Sequence, residues 1–108
     1  MTDKIVVLSA SGSEEEARRI ARRLVEKRVA ACVNVVPGAL SVYPWQGKIE
    51  ESAEWLLVIK SSRELFDRLR AEIEGAHSYQ IPEVIAMAVV DGSRDYLGWM
   101  DRELSALS

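Results

Sequence analysis

Cysteine and histidine each occur once in these 108 residues, and each scarcity closes off a class of protein. A lone Cys32 cannot form an intramolecular disulfide, so the fold does not depend on an oxidising compartment. With only Cys32 and His77, and no CxxC pair, a closed four-ligand zinc site within one chain is excluded. There is no GxGxxG or Walker-type phosphate loop, and no Ser/His/Asp or Cys/His nucleophile set can be assigned. A basic surplus is lacking too: 17 Asp and Glu face 14 Lys and Arg, a net charge of -3, which speaks against nucleic acid or an anionic membrane as partner. No apolar run approaches the roughly 20 residues of a membrane span, and Ile5 to Leu8 is too short for a signal-peptide core. The expectation is one soluble domain over residues 1–108, cytoplasmic and without enzymatic activity.

Hydrophobic residues make up 48% of the chain, enough for one real core at this length. They are most concentrated between Ala30 and Lys60, which reads as an oversized β-hairpin. Cys32, Val33, Val35 and Val36 lead to a Pro37-Gly38 break; Leu40, Val42 and Tyr43 lead to the tip Tyr43-Pro44-Trp45-Gln46-Gly47; Trp55-Leu56-Leu57-Val58-Ile59 returns. Arms this long overhang a small domain and leave unpaired backbone edge and aromatic surface, for which another copy of the chain is the obvious cover. Tyr43, Trp45 and Trp55 are the expected interface residues, because buried aromatics dominate interface energetics.

Elsewhere the pattern is regular. Ile5 to Leu8 reads as a strand, and Ser13 with Glu16 forms a capping box before a helix whose apolar stripe is Ala17, Ile20, Ala21, Leu24 and Val25. Ser61 with Glu64 repeats the box before a second helix lined by Leu65, Leu69 and Ile73 and ended at Gly75. Val84 to Val90 reads as a strand, and Ser93 caps a third helix with Leu97, Met100, Leu104 and Leu107 on its apolar face. The order gives an α+β fold, the ferredoxin-like βαββαβ sandwich with a long central hairpin and an extra C-terminal helix. Near-continuous apolar character in Trp55–Ile59 and Val84–Val90 predicts strands covered on both faces, hence a second sheet face buried by the terminal helix, by neighbouring subunits or by both.

Chemistry has few candidates. His77 lies in the polar loop His77-Ser78-Tyr79-Gln80-Ile81-Pro82-Glu83 and reads as a hydrogen-bonded loop residue, part of a ligand pocket or a metal ligand. His77 and Glu83 are ligand types that suit Cu(II) or Zn(II), and if three copies meet, ligands can come from several chains. Cys32 reads as a small hydrophobe within a strand. Lys60 pairs with Glu83, holds an anion beside His77 and Tyr79, or rests in solvent. Trp45 and Tyr43 can stack a ligand or anchor the hairpin tip in a neighbour.

The runs Ala31 to Gly38, Ser41 to Ile49, Glu54 to Lys60, His77 to Glu83, and Tyr96-Leu97-Gly98-Trp99 together resemble the CutA family of divalent-cation tolerance proteins, over nearly the whole chain and in the right order. The resemblance implies an interlocked homotrimer similar in architecture to the PII signalling proteins, in the cytoplasm of bacteria, with Cu(II) or another divalent cation weakly or transiently bound. It places the family's proposed metal ligands at Cys32, His77 and Glu83, and its intersubunit cleft positions at Trp45, Lys60 and Tyr79. Ser9 stands where some members carry a second cysteine. The alternative function is a PII-like signalling or adaptor module that binds a small anion or a partner protein at those clefts without catalysis.

Overall fold

Gln46 and Gly47, with φ of 51° and 81°, join the two longest strands of the sheet through a two-residue turn of the primed type that matches strand twist. The computed structural model describes residues 1–104, so the expected contribution of Leu107 lies outside the described residues. Within them the chain runs β1 (Lys4–Ser11), α1 (Glu14–Glu26), β2 (Cys32–Trp45), β3 (Lys48–Ser62), a 3₁₀ turn (Arg63–Leu65), α2 (Phe66–Ala76), β4 (Ile85–Ala88) and α3 (Arg94–Leu104). The strands pair antiparallel in the order β2-β3-β1-β4, the arrangement that a split βαβ plan generates, so the expected α+β architecture holds.

One sheet face carries the core. Ile5 and Val7 of β1 and Leu57 and Ile59 of β3 pack against Ala17, Ile20 and Leu24 of α1 and Leu69 and Ile73 of α2, all buried. Period-2 alternation therefore sends Val6, Leu8, Leu56 and Val58 to the other face, together with Ile85 and Met87 through their pairing with Leu8 and Val6. The terminal helix covers one end of that face: Met100 and Leu104 close over Ala31 and Leu65, and Asp101 holds the buried Lys4 ammonium at 2.5 Å. Val36, Ile85 and Met87 remain exposed, so in a single chain the second face is covered only in part.

The hairpin overhangs as expected. β1 pairs with β3 from Trp55 to Ser62, which leaves Lys48 to Glu54 bonded to β2 alone, a two-stranded ribbon roughly 23 Å long. The molecule measures 45 × 25 × 22 Å because of it. Pro37-Gly38 is not a break between elements but a β-bulge inside β2: Val36 faces Leu56 and Ala39 faces Glu54, so two residues oppose Trp55. Gly38 supplies the required φ of 87°, and proline is tolerated because β2 is the sheet edge.

Two further sequence expectations are corrected. The last strand spans Ile85–Ala88 rather than Val84–Val90, although Val89 still bonds the backbones of Thr2 and Lys4. Ser61 does not cap α2; it lies in β3, and its buried hydroxyl donates to the Val29 carbonyl at 2.6 Å, while the 3₁₀ turn starts the helix without a side-chain cap. Tertiary demand for a partner to the orphan carbonyl overrides the local motif. Consequently Ser61→Ala should cost about 1–3 kcal/mol in urea unfolding at fixed protein concentration, and Glu64→Ala under about 0.5 kcal/mol; a working capping box would make the two comparable.

A candidate functional site at the root of the hairpin

Beyond the bulge, β2 changes register against β3, and Ser41 comes onto the same face as Glu54. Glu54 is only 6% exposed, with one carboxylate oxygen accepting the Ser41 hydroxyl and the other accepting the Tyr79 phenol at 2.7 Å. Burial pushes the Tyr79 phenol well above its ordinary range, and the neighbouring Glu54 adds to the effect, so Tyr79 stays a donor.

Tyr79 is aimed by the segment between α2 and β4. The side chain of His77 is fully buried, its Nε2 lies 2.6 Å from the Ala10 carbonyl, and its Nδ1 accepts the Tyr79 N–H at 3.0 Å. The pair fixes the Nε2–H tautomer, because a carbonyl cannot donate and an amide cannot accept. Glu16, 6% exposed, anchors the same segment from the first turn of α1 by accepting the Ser11 hydroxyl at 2.7 Å and the Ser78 N–H at 2.9 Å. Only half of the expected capping box therefore forms: Ser13 accepts the Glu16 N–H, while the Glu16 carboxylate is spent on the loop. Gly12 completes the seat, since a Cβ there would stand 2.8 Å from the Tyr79 hydroxyl.

These contacts frame a cavity of about 600 Å³ at the hairpin root, lined by Glu54, Glu83, Tyr79, Trp45, Tyr43 and Val42 among others. Of the expected cleft residues, Tyr79 lines it at the root and Trp45 at its outer end, beside the turn. Lys60 does not: it lies six residues further along β3 than Glu54, roughly 20 Å away, and donates to Asn34. Cys32 pairs with Lys60 at that far end and sits by Tyr96, whose phenol is raised by burial and by the nearby thiol. Trp55 packs partly buried against its own chain's core. Cys32, His77 and Glu83 thus do not converge in one chain, no group of three His, Cys, Asp or Glu suited to a metal occurs among the described residues, and both His77 ring nitrogens are engaged. A divalent-ion site built from one chain does not fit.

A split βαβ sheet with an overlong hairpin, a bulge at its root and an added C-terminal helix defines a class of small α+β proteins whose distinguishing surface is the overhang. The chain belongs to the CutA1 divalent ion tolerance protein family, whose profile it matches over residues 5–103. It is 46% identical to the divalent-cation tolerance protein CutA of Thermus thermophilus over 88% of this chain and 92% of that one, and the solved structure of that protein superposes with a TM-score of 0.87 over 89% and 93%. The chloroplastic protein CutA of Arabidopsis thaliana is 41% identical over 89% of this chain, which spans about half (53%) of its length. The Archaeoglobus fulgidus structure, described as a periplasmic divalent cation tolerance protein CutA, is 38% identical with a TM-score of 0.91 over 94% and 98%.

Those names overturn the cytoplasmic placement read from the sequence: relatives are described as chloroplastic and periplasmic. The physical reason is that a fold resting on one unpaired cysteine is indifferent to redox compartment. Sequence reasoning also missed Glu54 and Glu16 as site residues. For Glu54 the signal was a charge immediately before the apolar run Trp55–Ile59; for Glu16 there was none beyond the cap.

Burial alone would raise Glu16, but the Ser11 hydroxyl and the Ser78 contacts outweigh it and hold the carboxyl below the ordinary 4.5. A depressed carboxyl contributes stability above its unfolded-state value and loses it as pH falls through the folded one. Glu16→Gln should therefore flatten the decline in unfolding free energy between about pH 5 and pH 3, and lower stability at neutral pH by about 1.5–3 kcal/mol. A decline as steep as in the parent protein would show that Glu16 is not the titrating group.

Proposed function

We propose that this chain serves divalent-cation tolerance as a homotrimer, a binding scaffold and not an enzyme. The observation that carries the reading is the overhang: Leu40, Val42 and Ile49 are 65%, 59% and 73% exposed on one face of the ribbon, beside a 14-residue edge strand that has no strand partner on its outer side among the described residues. A long unprotected edge with aliphatic side chains is a template for pairing, and a closed ring of identical chains satisfies it. Burying about 800 Å² per copy would bring the contact into the range of specific interfaces.

In such a ring a divalent cation, Cu(II) foremost, is held across copies, with Cys32, His77 and Glu83 contributed by different chains and His77 first giving up its bond to Ala10 or Tyr79. Binding of this kind is weak or transient. The adaptor reading, a small anion or partner protein in a cleft at the subunit boundary, is favoured by the cavity at the hairpin root, to which one chain contributes Tyr79, Glu54 and Glu83.

Sedimentation equilibrium should return three times the 12.1 kDa chain mass, and Leu40→Asp with Ile49→Asp should shift it toward one. A monomeric parent protein would sink the assembly. For the metal, Cu(II) calorimetry should show uptake weakened at least about tenfold by Glu83→Gln and lost on dissociation of the ring. One site per chain, unchanged in the dissociated variant, would contradict ligation across copies.

A further inference from the structure

The terminal helix is held less by packing than by charge. Of the eleven described residues of α3, Met100 and Leu104 are the ones buried, and they meet Ala31 and Leu65 in a small cluster separate from the main core. Burying two side chains is little against the entropy of ordering eleven residues. Two contacts reach α3 from elsewhere in the fold. Lys4, whose side chain is 4% exposed, donates its ammonium to Asp101 at 2.5 Å and to Asp3 at 2.6 Å, and both carboxylates face solvent. Three residues beyond the end of α1 sits no glycine; two residues beyond it, Arg28 takes a φ of 59°, the left-handed position after a helix that glycine or asparagine usually fills. Its guanidinium donates to the Glu103 carbonyl at 2.9 Å, so the strained residue spends its side chain on α3. Beneath the first turn of the helix lies Cys32, next to the buried Ala31, with its thiol hydrogen-bonded to the Tyr96 hydroxyl.

We infer that α3 is a charge-latched strap over Cys32: with the Lys4–Asp101 and Arg28–Glu103 contacts made it stays closed, and when they loosen it lifts as a unit and uncovers the thiol, while the sheet, α1 and α2 stay folded. Segments with few buried apolar contacts open well before the core does. Because the Asp101 carboxylate is 67% exposed, the latch is open to screening by salt. An uncovered thiol is available to soft metal ions and to oxidants, so the strap sets when the chain's single cysteine can react. Every contact in the latch lies within one chain, and the device requires neither the ring nor the cation of the preceding section.

The test uses the intact protein without metal and reads two rates: hydrogen exchange of the amides from residue 97 to 104, and alkylation of Cys32 by the neutral reagent iodoacetamide. In the parent protein the α3 amides should exchange at least about a hundredfold faster than those of Leu57 and Ile59. Asp101→Asn should raise both rates about tenfold, the factor that goes with losing a hydrogen bond between charged groups, and leave Leu57 and Ile59 unchanged. Arg28→Gly should raise both about threefold and leave core exchange no faster, since glycine relieves the backbone. A salt series on the parent protein keeps the test open if a variant folds poorly. Raising ionic strength from about 0.01 M to about 1 M, which cuts the reach of charge from roughly 30 Å to 3 Å, should raise both rates as well. Exchange of α3 at the core rate in parent and variants alike overturns the inference. So does a Cys32 rate that stays put while α3 exchange rises, or an Arg28→Gly protein in which α3 slows along with the core, the result of relieved backbone strain alone.

Discussion

From Leu56 to Lys60, β3 pairs with β2 on one edge and with β1 on the other; from Lys48 to Glu54 it is bonded to β2 alone. The first half is a central strand with Leu57 and Ile59 at no measurable exposure, and they form the main core together with Ile5 and Val7 of β1 and the buried faces of α1 and α2. The second half is one arm of a two-stranded ribbon, an arrangement marginal in water on its own. One strand thus ties the best-buried part of the molecule to the least covered, and the boundary falls at Glu54-Trp55, opposite the Pro37-Gly38 bulge. The bulge sets the facing of everything beyond it: one residue more or fewer in β2 would turn Ser41 away from Glu54 and exchange the two faces of the ribbon.

The candidate site follows from that boundary. Glu54 is the last β3 residue before β1 begins to pair, so its carboxylate opens onto space beneath the ribbon while its backbone stays anchored in the sheet. Tyr79 reaches it only because the segment before β4 is held at two points, His77 Nε2 at the Ala10 carbonyl and the Ser78 N–H at the Glu16 carboxylate, and because Gly12 leaves room. Buried polar groups in this network are each supplied with a partner, which rigidifies the segment. Within one chain both His77 ring nitrogens are engaged, Nε2 at the Ala10 carbonyl and Nδ1 at the Tyr79 N–H.

How much could be read from the residues depended on how local the controlling physics was. The hairpin was legible because Gln46-Gly47 between β-rich runs is a turn signal that acts within two residues, and α1 because its apolar stripe repeats every turn. Ser61 misled because a capping motif is judged from four residues, whereas its fate was set by the Val29 carbonyl 32 positions away. Pro37-Gly38 read as a break because composition cannot distinguish a bulge on an edge strand from a loop. The resemblance groups Lys60 with Trp45 and Tyr79 in a cleft between subunits; within one chain Lys60 lies six residues beyond Glu54 along β3, a separation that sequence does not reveal because register is invisible before the partners are known. Compartment was not legible at all: a single cysteine permits every location.

The central claim is that the ribbon beyond the bulge is covered in the working protein. Hydrogen exchange of the amides from residue 39 to 53, followed on the native protein without variants, tests it most directly. Coverage by another copy predicts protection close to that of Leu57 and Ile59 in the core, with opening free energies approaching that of global unfolding. Exchange within seconds across the ribbon, while the core stays protected, would show an uncovered hairpin fraying in solvent and would contradict the account.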